Sequence, residues 1–157
     1  MTTEPTASLS VVLGDASTFD HWSSPPGMVV TIAALEHSPH DPFLAWVVGA
    51  SAATIEKLRA YQWTASADEP PRHTLVWCFP QASSTAERAA RAGAIESLRG
   101  ITQSVTREMA ASKALVNAIA CEASDLPSAK AVISFLSSPG GGFTAGSTFD
   151  LTSKELR

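Results

Sequence analysis

"LVNAIACEASDLPSAKAVISFLSSPGGGFTAGSTFDL", residues 115–151, decides how the chain is read. The opening run, with Lys113 and Ala114 before it, is apolar at successive positions, as in a strand covered on both faces of a parallel sheet. "LPSAKAVISFL" follows as a short helix, "PGGGF" as a glycine-rich turn and "STFDL" as a last strand. Strand, helix and strand in succession is the repeating unit of an α/β sheet.

Outward from that stretch the alternation continues. A long helix is predicted from about Ser84 to Ser112, where Ile95, Leu98, Thr102, Val105 and Met109 recur at three and four residues. Before it, "HTLVWCF" reads as a strand and "SADEPPRH" as a turn-rich linker. Asp41 as N-cap and Pro42 at the first helical position start another helix that should reach about Tyr61. It carries Phe43, Leu44, Trp46, Val47, Val48, Ile55 and Leu58 around the small run Gly49 to Ala53, an apolar arc wider than one sheet contact requires. "MVVTIAAL" and "LSVVLG" read as two more strands, joined by "DASTFDHWSSPPG" with room for one helical turn at most. The pattern predicts a three-layer α/β sandwich with a mostly parallel sheet of about five strands. No internal repeat interrupts it.

The totals agree with one domain over residues 1–157, with 1–7 as a disordered lead-in. Hydrophobic residues make up 45% and charged residues 17%, with net charge −4, so the chain is globular and mildly acidic. Nucleic acid and anionic membrane surfaces would repel it on average. The longest apolar runs are too short to span a bilayer, and "MTTEPTASLS" lacks the basic start and apolar stretch of a signal peptide, which points to the cytoplasm. Cys78 and Cys121 fall near the ends of two predicted strands, outside any CxxC motif, and read as small buried apolar residues kept as thiols.

Three motifs give the chain a family resemblance. "GITQSVTREMA" (100–110) is similar to the end of the long helix of the short-chain dehydrogenase/reductase family, "VNAIACE" (116–122) to its Val-Asn-Ala-Ile-Ala-Pro-Gly strand, and "FLSSPGGGFTAGSTFDL" (135–151) to its last helix and strand. The order is the family's, over roughly residues 94–151. "VVTIAAL" and "HTLVWCF" resemble its fourth and fifth strands. The resemblance implies a reduced Rossmann-like fold.

The same resemblance implies a chemistry whose residues are not here. Family members move a hydride between NAD(P)H and a carbonyl or alcohol with a Tyr acid/base, a Lys four residues later, a Ser and an Asn. Counting back from "GITQS", the Tyr and Lys positions fall on Arg91 and Ile95. Ile95 cannot hydrogen-bond, and an arginine keeps its proton. The one tyrosine, Tyr61, has no Lys four residues on, and the one asparagine, Asn117, sits in the strand after the long helix. Ser83 and Ser84 stand near the place of the catalytic Ser as displaced candidates. A dinucleotide site also needs several glycines in the first strand-to-helix turn, and "VVLGDASTFDHW" has Gly14 alone. About a dozen residues separate the first two strands, too few for the family's second and third. Cys121-Glu122 replaces the Pro-Gly that meets the nicotinamide, and "ASDLPSA" is a shrunken substrate loop. No catalytic, cofactor-binding or metal residue is therefore assigned, and no cofactor.

What persists is the family's interface. The resemblance implies pairing of the helices after strands four and five into a four-helix bundle, with the last strand and helix as a second contact. Trp46, Ile55, Leu58, Leu98, Val105 and Phe143 are the candidate interface residues, and "AARAGA" (89–94) would let helices approach closely.

Other constellations have simple readings. His37, His40 and Asp41 could share a metal but read as a polar loop, "PGGGF" as a structural turn, and His73 as a surface residue. Trp22, Trp46, Trp63 and Trp77 read as core or interface anchors. The expectation is a dehydrogenase-like protein without dehydrogenase activity, acting as an oligomeric structural or regulatory subunit. It would form a homodimer or tetramer through its long helices, or a heteromer with a complete family member, with no nucleic acid or membrane partner. The alternatives are a divergent NAD(P)-dependent oxidoreductase, and a small-ligand binding module using the emptied crevice near "CEASD" and "EHSPHD".

Overall fold

The computed structural model describes residues 7–35, 43–60 and 70–152, with side chains from Val47 onward in the second stretch. Among the described residues five strands form one sheet in the order β1 (Ser8–Leu13), β2 (Met28–Ala34), β3 (Arg72–Phe79), β4 (Leu115–Glu122) and β5 (Thr148–Asp150). Every neighbouring pair is parallel. The sheet is thus wholly parallel rather than mostly so. Between the strands lie α1 (Phe43–Ala60), α2 (Thr85–Glu108) and α3 (Leu126–Ser137). The candidate cap residues of α1, Asp41 and Pro42, and the candidate metal ligands His37, His40 and Asp41 lie outside the described residues, as do Tyr61 and Trp63.

Alternation along the strands builds two cores. Ala33, Leu75, Trp77, Phe79, Val116, Ala118 and Ala120 face α1 and α2, where Val47, Ala50, Leu58, Ala94, Ile95 and Leu98 meet them. Val30, Ile32, Val76, Cys78, Ile119 and Cys121 face the other way, onto Phe19 and the α3 residues Ala129, Ile133 and Leu136. The central strands are therefore apolar at successive positions because both faces are covered. Trp77, fully buried, donates its indole N–H to Thr54 Oγ1 at 3.1 Å, so the large side chain that ties β3 to α1 also has its polar group satisfied.

These two cores fix the hand of the connections. The strands advance one place at a time, yet α1 and α2 cross over one face while α3 and the Phe19 turn between β1 and β2 cross over the other. In such a sheet, connections over opposite faces have opposite hands. Two of the four thus depart from the strong preference of βαβ units for one hand.

His73 corrects the expectation of a surface residue: it is 1% exposed, and its Nε2 lies 2.8 Å from Thr31 Oγ1 on the neighbouring strand. Burial, and secondarily the charge of Lys57, lower its pKa to about 3. The unfolded chain takes up a proton near pH 6.5 that the native state refuses, so stability falls as the pH drops from about 6.5 toward 3, by about 1.4 kcal/mol per pH unit. Urea unfolding at pH 7 and pH 5 should show about 2 kcal/mol more loss for the native sequence than for His73→Gln.

Candidate functional site: the carboxyl edge of the sheet

Ligands of open parallel sheets meet the carboxyl ends of the strands, because connections diverge there and helix N-termini point inward. In this chain that edge is made by Gly14 after β1, Phe79 after Cys78, and Glu122 after Cys121.

The first turn holds an acid. Gly14 has φ +89°, and a Cβ there would stand 2.3 Å from the carbonyl oxygen of Ala34, so the glycine is required by the approach of β2. Asp15 follows, and its Oδ1 accepts from the Ser17 amide at 2.9 Å. The Ser17 hydrogen bonds hold the Asp15 carboxyl below its ordinary pKa. The four-residue helical turn Ala16–Phe19 is thus capped by the chain's own carboxylate, where a pyrophosphate would need free amides and no negative charge. The residues present do not fit a dinucleotide phosphate.

The β4 end is closed by charge. Arg91, 8% exposed on α2, hydrogen-bonds the carboxylate of Glu122, the last residue of β4. The Glu122 amide donates to Asp125 Oδ2 at 3.2 Å in a capping box that starts the "ASD" turn and leads into α3. Ile95, one turn beyond Arg91, is buried in the core with Leu98. Ser84 caps α2, accepting the Glu87 amide at 3.1 Å, and Ser83 donates its hydroxyl to Glu87 Oε2 at 2.6 Å. Both serines therefore serve the helix start. Asn117 holds the loop before β5, donating to the Thr144 carbonyl at 2.8 Å and accepting from the Ser147 amide at 3.2 Å.

Beneath this edge lie the two thiols. Cys78 and Cys121 are direct partners across β3 and β4, both turned toward α3, 7% and 0% exposed. The Cys121 S–H hydrogen-bonds the Cys78 sulfur, which favours the Cys78 thiolate, against burial and the carboxylates of Asp125 and Glu122, while Cys121 is pushed up.

The candidate interface residues separate. Leu58 and Leu98 belong to the chain's own core at 3% and 0% exposure, because the arc of each helix that faces the sheet includes them. Ile55 and Val105 are half-buried and line, with Ile101, Met109 and the edge of Leu58, an open groove of about 550 Å³ between α1 and α2. Phe143 is 94% exposed at the end of the Pro139–Phe143 turn. The side chain of Trp46 is outside the described residues, and Trp22 packs edge-on against Phe19, ring centroids 5.3 Å apart. The "PGGGF" turn is structural, since a Cβ at Gly141 would stand 2.5 Å from the Leu136 carbonyl oxygen. Among the described residues no helix is long and apolar enough to cross a membrane, and no three His, Cys, Asp or Glu side chains gather to hold a metal.

The chain matches no family model and no curated protein. Among solved structures it resembles "The structure of BdcA (YjgI) from E. coli", with a TM-score of 0.52 and 15% sequence identity over 80% of this chain. The likeness is one of fold. It covers 60% of BdcA, so the chain spans less than two thirds of that protein. The α/β, wholly parallel architecture is consistent with a Rossmann-like fold.

Proposed function

We propose that the chain is a reduced relative of the short-chain dehydrogenases that has given up nicotinamide-nucleotide chemistry and works as a self-associating structural or regulatory subunit. The observation that carries this reading is the Arg91–Glu122 pair. It occupies the positions that the family resemblance gives to the acid/base Tyr and to the Gly beside the nicotinamide, and it satisfies both charges within the chain. Asp15 at the first turn adds a second, independent obstacle to a nucleotide. The short β1–β2 connection also agrees with the reading, since it passes over the face opposite to α1 and α2 without room for further strands.

Self-association is supported by the groove between α1 and α2, whose apolar wall of Ile55, Ile101, Val105 and Met109 is bordered by Gly100 and Ser104. Small residues at the lip let a second helix pair come close, and Arg59 and Glu108 on opposite sides give a two-fold copy charges to pair with. NADH fluorescence titration with a panel of carbonyl substrates tests the loss of nucleotide chemistry. No saturable binding and no turnover are expected, and binding with turnover of any carbonyl would overturn the reading.

A further inference from the structure

We propose that Cys78 and Cys121 form a modification site, a dithiol that hydrogen peroxide converts reversibly into a disulfide within one chain. The two residues are in register on adjacent parallel strands and point to the same face of the sheet. Adjacent strands run about 4.8 Å apart, inside the Cα separation of roughly 4.4–6.8 Å that disulfides span. Both side chains lie in the same buried cluster against α3, and the Cys121 thiol favours the thiolate of Cys78. The pair also stands one residue from the strand ends, with Phe79 opposite Glu122 as the next and last partners.

The two thiols have unequal roles. Cys78 is the more exposed, and the Cys121 proton stabilises its thiolate, the form that attacks an oxidant. Its sulfur attacks one peroxide oxygen, the O–O bond breaks, hydroxide leaves and a sulfenic acid forms on Cys78. The Cys121 sulfur then attacks the Cys78 sulfur, the S–O bond breaks, and the departing oxygen takes the Cys121 proton to leave as water. Two thiols lose two protons and two electrons, and peroxide becomes two waters.

Closure should leave the bond easily reduced. In-register side chains on parallel strands start near the strand spacing, whereas disulfide Cβ atoms sit about 3.8 Å apart. The ends of β3 and β4 must therefore draw together by roughly 1 Å. That strain raises the reduction potential and makes the bond labile rather than structural.

The chain has two cysteines, so intact mass after peroxide treatment and alkylation under denaturing conditions reads the pair directly. The expected result is loss of two hydrogens per chain, no alkyl adduct, and return of both alkylation sites with dithiothreitol. Cys121→Ala should instead leave a sulfenic acid on Cys78 that dimedone traps. Unchanged double alkylation at peroxide levels that oxidise a small free thiol would overturn the proposal. So would overoxidation of Cys78 in the native sequence, or a cross-link between two chains on a non-reducing gel.

Discussion

Arg91→Met should lower the free energy of unfolding by about 3–5 kcal/mol, the cost of leaving one member of a buried ion pair alone. The methionine fills a similar volume on α2, so packing is largely kept, but the Glu122 carboxylate loses its cationic partner and keeps only the Asp125 amide of the capping box. Pairing the change with Glu122→Gln removes the stranded charge and should recover most of the loss. Urea unfolding of the native sequence, the two single variants and the double variant measures the coupling directly. An additive cycle would mean that the two side chains do not act on each other, and the closed carboxyl edge would lose its main support.

Gly100→Arg has the opposite signature: a firmer chain and a broken assembly. A Cβ at Gly100 meets nothing within 4 Å, so the position accepts a side chain, and replacing a mid-helix glycine with a good helix former adds about 1 kcal/mol. The same arginine projects over the groove lined by Ile101, Ser104 and Val105, where it would block a docked helix pair and bury an unmatched charge. Sedimentation should therefore find the variant as a monomer with a raised urea midpoint. An assembly unchanged by the substitution would place self-association elsewhere, with the exposed Phe143 the first alternative to try.

The layers of this fold were legible because the patterns that encode them are local. "MVVTIAAL", "HTLVWCF" and "LVNAIA" are apolar at successive positions since both faces of β2, β3 and β4 are covered, and Ser84 marks the start of α2 by capping it. What stayed hidden depends on contacts distant in sequence. Nothing near His73 announces that it lies beside Thr31, and nothing near Arg91 announces Glu122, 31 residues on. The sequence could mark both positions as chemically wrong for a dehydrogenase without indicating that one neutralises the other. That Leu58 and Leu98 are core residues was hidden for a related reason. A helix that meets both a sheet and a neighbouring helix has one wide apolar arc, and periodicity does not separate its inward part from the part lining the groove. The register that sets Cys78 against Cys121 was likewise beyond the sequence, because a one-residue slip would turn one thiol to the opposite face.

The most direct test of the account is the mass of the protein in solution by light scattering, measured alone and again with NADH and with NADPH. The account predicts a multiple of the 16.4 kDa chain mass that neither nucleotide changes. A monomer, or a mass that shifts when either nucleotide is added, would contradict it.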